Sequence, residues 1–142
     1  MGNRERMLEV ISQAYAARGR GDLDGLLAAF HPEGVFTLVG DAKSLQVTGR
    51  VQGHQNLRET FRGFIDAFKF VERQILSEVV EADRAAVHSR LTVQYNDNIR
   101  TTECLDLFEF REGKIIELTE FADTALIKDL MSGATESSTK LE

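Results

Sequence analysis

The chain has 142 residues, a net charge of −6, 42% hydrophobic and 28% charged residues, one proline and one cysteine. That length suits one compact domain with a sizeable core; the scattered Lys and Arg exclude the basic stripe that nucleic-acid recognition needs, and the lone Cys104 excludes an intramolecular disulfide. No apolar run approaches the ~20 residues of a membrane helix and no charged start leads into an apolar leader, so no membrane partner is expected and the expected location is cytoplasmic.

The first half of the chain reads as helical. Met7, Leu8, Ile11, Ala14 and Tyr15 form one stripe of a helix over about residues 4–18. "GRGD" breaks it, and Asp22 stands as the N-cap of a second helix carrying Leu23, Leu26, Leu27 and Phe30. "HPEG" (31–34) should end that helix, because Pro32 biases His31 away from helical dihedrals. A short strand is expected over Val35–Val39, then a loop over 40–53 with a little strand around Leu45–Val47. Leu57, Phe61, Phe64, Ile65 and Phe68 make a third helical stripe.

The second half reads as strands. Residues 70–81, 84–95, 100–111 and 114–121 are extended runs separated by "EADR", "NDNI" and "REGK". They exceed the usual ~5–6 residues of a strand, and strands this long bend as they twist. Asp123 caps a final helical turn or two bearing Leu126, Ile127, Leu130 and Met131. Helices followed by an antiparallel meander predict an α+β fold with the helices on one face of a strongly curved sheet, a cone with an interior. One domain over residues 1–131 is expected, followed by a disordered polar tail (132–142) whose last two residues read as a cloning remnant.

"ECLDLFEF" (103–110) holds a misplaced charge. Side chains alternate along a strand, so Asp106 shares a face with Cys104, Phe108 and Phe110. A carboxylate on an apolar face needs a partner, a shifted pKa or a wet cavity. The nearest candidate partner is Glu120 on the next strand. A two-residue turn at Glu112-Gly113 would set Asp106 opposite Thr119 and send Glu120 to the far face. A three-residue loop with Gly113 as a left-handed bulge would put Glu120 with Asp106, Ile116 and Leu118, and this second geometry is the preferred one.

"GDLDGLLAAFHPEGVF", "TGRVQGHQNLRETF" and "FEFREGKIIELTEFADTALI" together resemble the nuclear transport factor 2-like superfamily, nearest its steroid delta-isomerase and SnoaL-like polyketide cyclase branches, over about residues 7–131. The resemblance implies a conical barrel with a deep apolar pocket and a dimer through the outer sheet face. It implies that Asp106 occupies the oxyanion-binding position of the steroid isomerases. Their helix tyrosine position falls on Ala14, one residue before Tyr15, and their general-base position falls on Leu38. In the superfamily's epoxide hydrolases, which use an Arg and two carboxylates, one acidic position matches Glu120; the other two groups would lie on the strand of His88, Ser89 and Arg90, which carries no acid.

Two carboxylates in one apolar pocket share a proton, giving a hydrogen-bond donor and a base from one pair. The candidate catalytic residues are therefore Asp106 and Glu120, with Tyr15 and His31 as weaker members. Alternatively, Asp106 only binds a neighbouring hydroxyl or N–H while Glu120 sits in water at the rim. Phe36, Leu38, Phe61, Phe64, Ser89, Leu91, Val93, Cys104, Phe108 and Leu118 are the candidate ligand-contacting wall, with Phe68 and Phe110 as further lining; the same side chains packed solid would make a filled core. His31, His54 and His88 have no metal-ligand spacing, and no Gly-rich phosphate motif is present, so neither a metal nor a cofactor is expected. The function expected is binding of a small apolar, cyclic or polyketide-like molecule, with acid–base chemistry of the isomerase, cyclase, dehydratase or hydrolase kind. The alternative is a non-catalytic ligand-binding or dimerisation module. Leu105, Leu107, Ile115 and Phe121 form the expected outer, dimerising face.

Overall fold

The computed structural model describes residues 2–133. The chain runs α1 (Asn3–Gly19), α2 (Leu23–Ala28), β1 (Phe30–Leu38), β2 (Gly49–Gln52), α3 (His54–Ala67), β3 (Lys69–Glu81), β4 (Arg84–Tyr95), β5 (Asn98–Arg111), β6 (Lys114–Phe121) and α4 (Thr124–Ser132). The strands make one six-stranded sheet in the order β2-β1-β6-β5-β4-β3, antiparallel except for the parallel pair β1–β6. The sheet is curved and unclosed, with the helices packed on its inner side, the cone expected of an α+β chain of this pattern. No helix among the described residues is long and apolar enough to cross a membrane.

The helical stripes bury as their period requires. Met7, Ile11, Ala14 and Ala17 of α1 and Leu57 and Phe61 of α3 meet Phe30, Phe36, Val87 and Phe108 of the sheet in one core. The Asp22 carboxylate accepts the Gly25 N–H at 2.9 Å and caps α2, and Asp123 caps α4 through Leu126 N–H at 3.1 Å.

Several boundaries differ from the sequence pattern, each for a tertiary reason. The second helix stops at Ala28, and "HPEG" belongs to β1: Phe30 already pairs with Ile115, whose N–H donates to Ala29 O. The short strand expected at Leu45–Val47 is absent. Leu45 instead buries its side chain in a turn whose carbonyl accepts both the N–H and the hydroxyl of Thr48, and β2 begins at Gly49. Ser132, assigned to the tail by sequence, ends α4 and Gly133 caps it; residues 134–142 of that tail lie outside the described residues.

The hairpin β5–β6 combines a two-residue turn with an inserted residue. Glu112 and Gly113 lie at φ 55° and 77°, and Arg111 pairs with Lys114, so the turn has two residues; positive φ at both central positions is the type I′ requirement that makes Gly113 valuable. The extra residue sits further along. Phe110 pairs with Ile115 but Glu109 pairs with Glu117, leaving Ile116 as a β-bulge. The bulge restores the pairing of Asp106 with Glu120 and Phe108 with Leu118. It also corrects the face of Ile115, which is fully buried rather than on the outer surface.

Candidate active site

β5 is regular along its length opposite β4, so Cys104, Asp106 and Phe108 all point into the cone. β6 lies between β5 and β1. Glu120 is paired with Asp106 on one side and Leu38 on the other, and its carbonyl accepts Val39 N–H at 3.0 Å. Its side chain therefore cannot drift from the position opposite Asp106.

The third strand contributes through an irregularity. β3 is bulged twice against β4, leaving Val71 and Leu76 unpaired. Without the first bulge, alternation from the inward Phe70 would aim Arg73 outward. The extra Val71 turns Arg73 inward, opposite Leu91. The Arg73 guanidinium stacks 3.6 Å from the centre of the Tyr15 ring, donates to the buried Ser89 hydroxyl at 2.9 Å, and stands 3.9 Å from Asp106 Oδ2. From α1, the Tyr15 hydroxyl donates to the same Oδ2 at 2.6 Å. One turn on, Arg18 Nη2 donates to Phe68 O at 2.7 Å and Phe64 O at 3.2 Å, closing the end of α3, while its guanidinium lies 3.8 Å over the Phe70 ring.

These groups share a cavity of about 130 Å³. The rest of its wall is mostly apolar, built chiefly by Phe30, Phe36, Phe61, Phe64, Leu91 and Leu118, with Thr102 and Asp123 as further polar members and Leu126, Ile127 and Leu130 at the α4 side.

Burial sets the charges. Asp106 is 1% exposed, and desolvation pushes its carboxyl up, against the hydrogen bonds from Glu120 and Tyr15 and the Arg73 charge. Desolvation pushes Glu120 well above the usual carboxylate range, and the Asp106 charge pushes it further. Asp106 Oδ1 is buried with no donor while both acids are ionised; one proton held on Glu120 supplies a donor to this carboxylate and removes the repulsion. Burial first, and Asp106 second, raise both the Tyr15 phenol and the Cys104 thiol, so both are neutral at pH 7. Arg18 is lowered by burial to about 10 and stays charged. One Sγ of Cys104 and one oxygen each of Asp106 and Glu120 lie within 4.8 Å of one another, a donor set that can hold a cation. Arg73 already stands against this cluster with a positive charge, which opposes a second one.

Of the residues singled out by sequence, the structure brings together Tyr15, Asp106 and Glu120, with Phe36, Leu38, Phe61, Phe64, Leu91, Val93, Cys104, Phe108, Leu118 and also Phe68 on the cavity wall. Three placements are corrected. His31 does not line the cavity: its ring sits on the outer side of β1, 3.0 Å from Glu112 at the hairpin turn. Ser89 is fully buried beneath Arg73 and binds it rather than facing the cavity. Phe110 packs in the core behind the wall. Arg18 and Arg73 join the cluster without having been singled out by sequence. Arg18 continues the Ile11, Ala14, Tyr15 stripe at the next i+3 position, a signal visible in the sequence; the bulge that turns Arg73 inward has none.

An arginine, two carboxylates and a phenol are thus gathered on the wall of one largely apolar cavity inside the cone. The SnoaL-like domain family model matches residues 11–118, and the chain belongs to that family. Solved structures agree on the fold. An NTF2-like protein of unknown function from Burkholderia pseudomallei is 21% identical, with a TM-score of 0.76 over 88% of this chain and 96% of that one. An M. tuberculosis LEH-like epoxide hydrolase is 16% identical, with a TM-score of 0.74 over 96% and 97%. TerC, co-crystallised with polyporic acid, is 18% identical, with a TM-score of 0.76 over 90% and 99%. No functionally curated protein sequence matches the chain.

Proposed function

We propose that this SnoaL-like protein binds a small apolar molecule, cyclic or polyketide-like, in its cone and performs acid–base chemistry on it without a cofactor: isomerisation, cyclisation, dehydration or hydrolysis. The observation that carries this reading is the line Tyr15–Asp106–Glu120, with Asp106 buried at its centre, on the wall of a largely apolar cavity. Asp106, the ionised member, is the base that takes a proton from carbon or from a water. Glu120, the protonated member, gives one to the oxygen on which charge develops. Tyr15 and Arg73 hold Asp106 in place and limit the rise of its pKa. The epoxide hydrolase fold relative is consistent with such chemistry in this fold.

The test is incubation in D2O with a panel of cyclic ketones and epoxides, followed by NMR for deuterium entering beside the carbonyl and for ring opening. Turnover that Asp106→Asn and Glu120→Gln both abolish supports the reading. Turnover that survives both substitutions overturns the roles of the two acids. A second reading, a ligand-binding module without catalysis, is favoured by Leu38, an apolar side chain 4% exposed at the position where steroid isomerases carry a base. It predicts ligand binding with no turnover of any member of the panel.

The same reading carries a homodimer through the outer sheet face. Leu105, Leu107 and Phe121 are 37%, 40% and 43% exposed there, an apolar patch of the kind that marks an interaction surface. Leu107→Glu is expected to give a monomer; an unchanged sedimentation profile contradicts this interface.

A further inference from the structure

The charges on the cavity wall do not balance. Five charged residues line it: Arg18, Arg73, Asp106, Glu120 and Asp123. Asp123 is solvent-exposed at the edge and its carboxylate accepts the Leu126 N–H, so it belongs to water and to α4. Inside, two guanidiniums face two carboxylates whose oxygens lie within 4.8 Å of each other, Asp106 buried and Glu120 half-buried. A pair so close, with one member cut off from water, holds one negative charge rather than two. Tyr15 and Cys104 add none. The interior therefore carries two positive charges against one negative.

The surplus cation is Arg18. Arg73 has Asp106 at 3.9 Å and the Ser89 hydroxyl at 2.9 Å. Arg18 makes no ion pair among the described residues, and the one carboxylate whose charge reaches it is Glu120, the member that holds the shared proton; its bonded acceptors are two neutral carbonyls, both served by Nη2. A guanidinium has five N–H donors in a planar fork, so donors of Arg18 remain for the cavity. The guanidinium is held in position by the Phe64 and Phe68 carbonyls and the Phe70 ring. A fixed, partly desolvated fork without a counter-ion is a receptor for a planar oxyanion. The space available is also informative: an apolar cavity of about 150 Å³ takes one benzene ring, and this one is about 130 Å³.

We propose that the cavity takes a monoanion, a molecule with an apolar, ring-sized body and one carboxylate, whose charge is held by Arg18 with Arg73 at its flank. This rests on the cavity being a small-molecule site, and it names the class of molecule. The body lies against Phe36, Phe61, Phe64 and Leu118 while the carboxylate faces α1 and β3. The ligand's charge completes the balance that the protein leaves open, so it binds ionised and brings no proton with it.

The experiment is isothermal titration of the purified protein at pH 7 with two acid–amide pairs of matched shape: cinnamate against cinnamamide, and benzoate against benzamide. Each is run in two buffers of different ionisation enthalpy, which counts protons taken up. One charge-assisted bidentate contact is worth about a tenfold preference, so each acid is expected to bind roughly tenfold or more tightly than its amide, with no proton taken up, and Arg18→Met is expected to erase the preference. The wild-type ratio and proton count decide the matter even where that variant fails to fold. Amides binding as tightly as acids, or acids binding with uptake of one proton, overturn the anion proposal and leave the cavity a small-molecule site. Failure of all four to bind overturns both.

Discussion

The two faces of β5 treat the same chemical group in opposite ways. On the outer face, Glu103 meets His88 at 2.7 Å and Arg90 at 3.4 Å, and these partners hold its carboxyl below the ordinary value. On the inner face, three residues along, Asp106 has a comparable set of partners, Tyr15, Arg73 and Glu120, yet its carboxyl is raised. Hydrogen bonds and a cation favour the charged form on both faces. The difference is water: desolvation is the largest effect on Asp106, whereas on Glu103 it is outweighed by the His88 hydrogen bond. An ion pair therefore says little until burial is known. The outer pair is surface electrostatics, screened by salt and of small worth. The inner cluster is costly to build and poised to move a proton.

The contrast breaks most sharply at the two acids themselves. Asp106→Ala leaves the Tyr15 hydroxyl without its acceptor and the Arg73 guanidinium without its nearest carboxylate, both largely shielded from water; removing one partner of a buried pair costs about 3 kcal/mol or more. Urea unfolding should show that loss, while Glu103→Ala leaves the midpoint within error. Equal effects from the two would contradict the distinction. Tyr15→Phe is next in size. It deletes a hydrogen bond to a charged acceptor, worth about 1.5 kcal/mol or more, and should also raise the Asp106 carboxyl further, since that bond now pulls it down.

The smallest effect is one of pH. Glu120 has a folded pKa raised above its unfolded value. Its contribution to stability is therefore complete below the ordinary glutamate range and is lost as pH rises through the folded value. Glu120→Gln does not titrate. Wild type should lose ground to this variant steadily from about pH 4.5 upward, the ordinary glutamate range; a constant difference between the two in urea unfolding across that window would show that Glu120 ionises freely.

The inner face is partly legible in the sequence, and the reasons are particular. Asp106 stands out because a carboxylate among Cys104, Phe108 and Phe110 violates strand alternation, a purely local signal. A three-residue loop predicts the right face for Glu120, but the device is a two-residue turn followed by a bulge at Ile116. Both devices insert one residue, and parity alone decides the facing. The helices and strands follow from periods of 3.6 and 2, whereas "HPEG" misleads because local Pro32 chemistry yields to pairing of Phe30 with Ile115. Tyr15 lies one residue off the expected helix position, yet it reaches Asp106. Arg73 is invisible to sequence, since the bulge at Val71 that turns it inward exists only in the pairing of β3 with β4. Arg18 is visible in the period of α1 but carries no apolar mark. Half of the charged cluster thus depends on where strands slip by one residue.

The central claim is that Asp106 and Glu120 share one proton at neutral pH on the wall of one largely apolar cavity. Carboxyl-resolved 13C NMR, titrated from pH 3 to pH 10 with and without the ketone and epoxide panel, measures it directly. The account predicts two macroscopic steps for the pair, the second well above the ordinary carboxylate range and moved by a bound ligand. Two ordinary carboxylate titrations, unchanged by every ligand, would contradict it.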